Sequence, residues 1–419
     1  MPRTLVYACL ALAATAAHAE GLIISPLDLG TGPNTAQPSV AVDPGRGFIA
    51  TWQQRDGART RLDFVEINRD GSLGRRGTIA DSARSGSNGA TTRWFVNWAD
   101  FPSLVVLDNG DWVAHWLQKN GDSTYAYEIR LTRSTDRGRS WSSSTVPHTD
   151  GTPTEHGFVS MVAAGDDRVR LVWLDGRETA AAAPGQAPGH DSHGRMTLRS
   201  AVLDRSQRLH EETQLDASTC SCCQTDLVRA GPRTLTAYRD HGTADLRNIH
   251  WLTLERGRWS AEHVLHDDGW RIAGCPVNGP ALAAGDAGVL AVWATMHGEQ
   301  MVVRAAQGDG TRFSSPVDLE SSATTLGRVD AAAWGRDGFL ATWLGAGTAA
   351  DATALRLVEL DAGLGLRSSH SLVELPPGRA TGVPRIAAAD GMALVTWVEG
   401  VDGKPTVRAA LIRPSSNKQ

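Results

Sequence analysis

The residues of this 419-residue chain best equipped for chemistry are four cysteines, three arginines and a few carboxyl and imidazole groups. Cys220-Ser221-Cys222-Cys223 forms a C-x-C-C run, and Cys275 follows within Gly274-Cys275-Pro276-Val277-Asn278. An even set of cysteines in an oxidising compartment favours disulfides. Cys222 and Cys223 are neighbours, and a bond between neighbours strains the backbone. Four converging thiols joined by His156 or His241 would instead hold a soft metal, copper(I) or zinc, although zinc sites more often use C-x2-C. Nothing in the sequence requires a cofactor, and both the disulfide and the metal reading stay open.

Arg177, Arg239 and Arg328 are the second set. Converging guanidinium groups bind carboxylate, sulfate or phosphate through paired hydrogen bonds. The plainer alternative is structural pairing of Arg177 with Asp175 and of Arg239 with Asp240. Trp98 and Asn278 complete the candidate ligand-binding residues. Asp100, Glu155 and Tyr238 form an acid–base set, because glycoside hydrolysis needs two carboxyl groups or an activated tyrosine. His190 and His193 lie in an Ala/Pro/Gly-rich insertion, Glu178 to Arg195, whose composition suggests a loop.

Composition narrows the setting. Lys and Arg number 41 against 46 Asp and Glu, a net charge of −5, which argues against a dedicated nucleic-acid binder. Arg3, the apolar run from Leu5 to Ala17 and Ala17-His18-Ala19 read as a signal peptide over residues 1–19, too short for a membrane span. The expected mature chain, residues 20–419, is one extracytoplasmic domain, periplasmic or secreted and monomeric, without a transmembrane segment. Cys9 leaves with the signal, so Cys220, Cys222, Cys223 and Cys275 remain.

A repeat fixes where these residues fall. A short apolar strand, a Gly/Asp turn and a second strand ending in Trp recur along the chain. Pro38 to Trp52 and Pro102 to Trp116 are clear copies, and others end at Trp173, Tyr238, Trp293, Trp343 and Trp397. The spacing, 345 residues from Trp52 to Trp397 over six steps or 57.5 per step, predicts an all-β fold, a β-propeller of seven four-stranded blades, with six as the alternative count. The last copy lacks its fourth strand, so the segment Leu22 to Leu29 is expected to close that blade. Tyr238 stands where the other copies have Trp, which favours a packing role for it.

In such a blade the loop entering the innermost strand and the loop leaving the second strand lie on one face. The entering loops carry Trp98, Asp100, Glu155, His156, the C-x-C-C run, Cys275, Asn278 and Arg328. The leaving loops carry Asp175, Arg177, Arg239, Asp240 and His241. This concentration has the composition of a site.

Ser134-Thr135-Asp136-Arg137-Gly138-Arg139-Ser140-Trp141 is S-x-D-x-G-x-x-W. It resembles the Asp box, or BNR repeat, of sialidase-like propellers, in which Ser134, Asp136, Gly138 and Trp141 shape a hairpin turn and do no catalysis. The wider chain is similar to exported members of that family with C-x-C-C and G-C-P-V-N-G-P stretches. The resemblance implies, for an enzyme, a glycoside hydrolase of sialidase type, with arginines holding a substrate carboxylate. The leading expectation is a Cys/Arg/His-rich pocket for a small anionic molecule, a glycan or a soft metal. Sialidase-type exo-glycosidase and extracytoplasmic protein-interaction scaffold are the alternatives.

Overall fold

The computed structural model describes residues 21–83, 92–165, 167–181, 195–349 and 352–415. Residues 1–19, His190 and His193 lie outside them. Seven antiparallel sheets follow one another along the chain, and each is a blade. Blade one runs from Thr35–Asp43 to Leu73–Asp81, with its four strands in sequence order. Blades three, five, six and seven are likewise four-stranded. Blade four carries a fifth short strand, His263–His266, against Ile249–Glu255. Blade two has three strands, and its outer edge is reduced to a bridge between Leu131 and Thr145. Leu22–Leu27 pairs with Lys404–Pro414, so the N-terminal strand completes blade seven and covers the outer edge of that C-terminal strand.

The repeated aromatics explain why the blades pack. Trp52, Trp116, Trp173, Trp293, Trp343 and Trp397 are all buried on second strands. Trp293 donates its indole N–H to Asp268 (2.7 Å) and Trp343 donates to Glu320 (3.0 Å). Tyr238 keeps the pattern with a different group. Its buried hydroxyl donates to Asp216 at the end of the preceding blade. The structure thus places Tyr238 as a stand-in for the repeated tryptophan, within the core rather than at an open site.

Side chains link inner strands around the axis. Asp100 accepts the N–H of Phe158 (2.8 Å), Asp226 that of Leu282 (2.6 Å) and Asp330 that of Ile386 (2.7 Å). Each bond joins an even blade to the next and satisfies a buried donor. A polar cavity of about 140 Å³ lies on the axis, with Asp100, Asp226 and Arg385 in its wall. Arg385 pairs with Asp330 at 3.2 Å and stacks over Phe101.

The Ser134–Trp141 turn sits on the face opposite the entering loops. Asp136 accepts from Ser140 N–H (2.9 Å) and from the hydroxyls of Ser134 and Ser140. Gly138 takes φ +76, and a Cβ there would stand 2.8 Å from Trp112. Trp141 packs at the edge of the core around Phe64 and Trp112.

Candidate functional site

The cysteine loop is held before any sulfur bonding is considered. After the outer strand of blade three, Leu209–Asp216, Thr219 N–H donates to Met196 O and Cys220 N–H to Arg239 O (3.0 Å). Gln224 then fastens the loop to two other blades, donating to Ala99 O (2.8 Å) and accepting from Gly279 N–H (3.0 Å). A Cβ on Gly279 would lie 2.0 Å from Gln224 O. Only glycine lets the Cys275–Gly279 segment pass this close to the cysteine loop. Val277, between Cys275 and Gly279, takes φ +51, a strained backbone for a β-branched residue.

Two tight loops from adjacent blades therefore bring four sulfurs together. Cys222 and Cys275 are joined in a disulfide. Cys220 and Cys223 are free, each 1% exposed. Cys220 Sγ lies 3.7 Å from Cys222 Sγ, and the sulfurs of Cys220, Cys222 and Cys223 all fall within 4.8 Å of one another. Burial pushes the Cys220 thiol well up. Burial acts the same way on Cys223, but the Cys220 thiol, the Arg239 guanidinium and the Asn278 N–H outweigh it and draw Cys223 down to about 7.

Arg239 is 1% exposed. Its guanidinium donates to three carbonyls, Asn278 O (2.8 Å), Arg247 O (2.5 Å) and Ala294 O (2.6 Å), and stacks on Trp270 at 4.9 Å. Among the described residues no carboxylate lies within ion-pair distance of it. Asp240, expected as its partner, instead sits 3.8 Å from His250 with its carboxyl raised to about 6 by burial. A buried cation held by carbonyls and an indole face needs a counter-charge, and the sulfurs, with Asp268 beyond ion-pair distance, are the neighbouring groups able to provide one.

Arg328 and Trp98 meet at the same mouth. The guanidinium stacks 4.2 Å over the indole and donates to Gly378 O, Thr381 Oγ1 and Gly382 O. Asn278 ties this group to the cysteines: its Oδ1 accepts Arg328 N–H (2.7 Å) and its carbonyl accepts from Arg239.

Arg177 follows the structural alternative. It grips Asp175 through two bonds of 2.7 Å and reaches Glu212 at 2.9 Å. His156 belongs to this group and not to the sulfurs. Its Nε2 lies 3.3 Å from Asp150 and 3.6 Å from Asp175, and its ring stacks on His148 at 3.8 Å. Burial opposes the charge on His156, yet the two aspartates hold its basicity above the usual value. His241 pairs with Asp245 at 3.0 Å. The three arginines thus do not converge on one point, and neither histidine joins the cysteines.

Asp100 and Glu155 do meet, through a residue the sequence reading missed. The buried Tyr127 hydroxyl lies 2.7 Å from Glu155 Oε1 and 3.1 Å from Asp100 Oδ2. One hydroxyl proton cannot serve both carboxylates, so a carboxyl proton completes the set. Burial accordingly raises Asp100 to about 7 and Glu155 to about 8. His148 and Asp150 were also missed. Both lie in the connection between blades two and three, outside the repeated strand pair.

No family model and no curated protein sequence matches the chain. Solved structures do. NanB sialidase from Streptococcus pneumoniae aligns with a TM-score of 0.48 at 8% identity, covering 94% of each chain. Trypanosoma rangeli sialidase in complex with the inhibitor DANA aligns at 0.47 and 10% identity, over 93% of this chain and 59% of that one. Penicillium chrysogenum α-L-arabinanase complexed with arabinobiose aligns at 0.47 and 14% identity, over 94% and 97%. The chain is a seven-bladed propeller whose fold resembles that of the sialidases.

Proposed function

We propose that this protein is exported and holds copper(I) at the mouth of its propeller, between Cys220 and Cys223 and beneath the Cys222–Cys275 disulfide. The observation that carries the reading is the packing of three sulfurs within 4.8 Å beside a buried guanidinium that has no carboxylate within ion-pair distance among the described residues. Two thiolates and one copper(I) carry a net charge of −1, which Arg239 offsets. Soft thiolates suit copper(I), whereas zinc asks for four nitrogen or sulfur ligands. With Cys222 and Cys275 bonded to each other, and His156 and His241 engaged elsewhere, two thiolates remain. The disulfide fits an oxidising compartment reached through the segment 1–19. No helix among the described residues is long and apolar enough to cross a membrane.

The test is anaerobic titration of the full chain with copper(I) against a chromophoric chelator. One equivalent is expected, lost in Cys220→Ser and in Cys223→Ser. Absence of uptake by protein shown to carry two free thiols overturns the reading.

One observation favours glycoside hydrolysis as a second reading. Tyr127 stands between two carboxyl groups of which one keeps a proton at neutral pH, an arrangement suited to proton transfer. Turnover of a fluorogenic sialoside, abolished in Glu155→Gln, would support it. No turnover between about pH 4 and pH 8, the range of carboxyl and imidazole titration, would remove it.

A further inference from the structure

On the face opposite the cysteines, three turns enclose a cavity of about 310 Å³. They are Asp43–Gly47 and Asn68–Ser72 of blade one, and Arg137–Arg139 of blade two, within the S-x-D-x-G-x-x-W stretch. Five arginines line it against two carboxylates, on a chain whose net charge is −5.

The inner pair of arginines is built in. Arg137 grips Asp43 at 2.6 Å and reaches Glu66 at 3.2 Å, while Arg75 bonds Glu66 at 2.9 Å. Both guanidinium groups lie 5.6 Å from the Trp112 ring. Arg137 takes φ +61, a strained backbone that the two carboxylates help to hold. Arg75 Nη1 is buried and has no acceptor among the described residues. Of the outer three arginines, Arg46 and Arg139 carry the surplus charge. Among the described residues the Arg139 guanidinium donates only to the Asp136 carbonyl, at 3.2 Å. Arg69 reaches Asp390 at 3.5 Å. Arg46 has no ion pair among the described residues.

We infer that this cavity binds a small dianionic oxyanion of phosphate or sulfate type, such as a monoester on a sugar. Guanidinium groups arriving from three separate turns match a tetrahedral oxyanion, which accepts hydrogen bonds from several directions. A carboxylate accepts in one plane and would leave part of the set unused. The volume lies at the low end for ligand sites, roughly 300–1,000 Å³, and fits one small ligand. The unpaired Nη1 donor of Arg75 and the unneutralised Arg46 and Arg139 are the groups such a ligand would satisfy. This site is independent of the copper reading, since it shares no residue and no face with the cysteines.

Isothermal titration of metal-free protein with glucose 6-phosphate and glucose 6-sulfate, at low ionic strength, tests the inference. Saturable binding of one equivalent is expected for at least one of the two, and the preferred ester identifies the ligand's source. The double variant Arg46→Ala/Arg139→Ala, altered only at exposed side chains, should keep its melting temperature and weaken binding about tenfold or more. Arg256→Ala/Arg258→Ala, on a distant hairpin of blade four, should bind as the native chain does. The inference is overturned if neither ester binds, if the double variant binds unchanged, or if glucuronate binds as tightly as the esters.

Discussion

Cys220 Sγ lies 3.7 Å from the sulfur of Cys222, which is already bonded to Cys275. A free thiol is therefore poised beside a disulfide, and Cys275 is the one member of the four on another blade. Cys275→Ser should leave Cys222 to pair with Cys220 under air. Loss of a cross-link spanning 53 residues should also lower stability by about 2–4 kcal/mol. Peptide mapping of the oxidised variant should show a Cys220–Cys222 link. A free Cys220 there would mean that the two sulfurs do not meet in solution.

The two loops can meet only because Gly279 has no side chain. Gly279→Ala would press a Cβ into the backbone of Gln224, at 2.0 Å before relaxation. Backbone on both sides must move, so a loss of about 3 kcal/mol is expected, at the upper end for overpacking. Denaturant unfolding gives the number, and free-thiol titration should show whether Cys222 still finds Cys275. A variant as stable as the native chain would show that the loops are further apart than described.

The fold was largely legible because a repeat fixes both strand order and the buried aromatic. The repeated tryptophans, Trp52, Trp116, Trp173, Trp293, Trp343 and Trp397, mark second strands, and even the substitution of Tyr238 keeps the acid contact of the preceding blade. The closing strand was legible because the last copy lacked a partner, although it ends at Leu27 and not at Leu29. The meeting of Cys222 with Cys275 was legible only as a possibility, since adjacent entering loops must be neighbours. The fate of the arginines was not. Arg177 has a carboxylate two residues away, and short-range pairing decides its position. Arg239 turns inward to three carbonyls, which depends on the backbone course of three other segments. Tyr127 gave no signal, because a tyrosine at the start of a third strand looks like ordinary core.

The Asp100–Tyr127–Glu155 set makes a statement about pH. Both carboxyl groups titrate higher in the folded chain, about 7 and about 8, than in an unfolded one, roughly 4. From pH 4 upward the folded state keeps protons that the unfolded state has lost, so stability falls as pH rises, until the folded groups have ionised near pH 8. Asp100 alone should cost roughly 2–3 kcal/mol between pH 5 and pH 7, at about 1.4 kcal/mol per pH unit. Asn at this position mimics the protonated acid: its amide can donate to Tyr127 while its carbonyl accepts Phe158 N–H. Asp100→Asn should therefore flatten the decline in urea-unfolding free energy over that range. Identical pH slopes for variant and native chain would show that Asp100 is ionised throughout.

Arg239 separates charge from hydrogen bonding at the sulfur centre. Its three carbonyl partners lose donors in either Arg239→Lys or Arg239→Gln, and both variants should lose about 2–4 kcal/mol of stability. Lysine keeps the positive charge beside the sulfurs and glutamine does not. If two thiolates and copper(I) rest on that charge, copper(I) affinity should fall more than about tenfold further in the glutamine variant, a difference of about 1.4 kcal/mol. Chelator competition on both variants, each confirmed folded by its near-ultraviolet dichroism, measures the split. Equal affinities would mean that Arg239 only braces the loops, and the compensating charge would have to be sought in a proton kept by one of the two thiols.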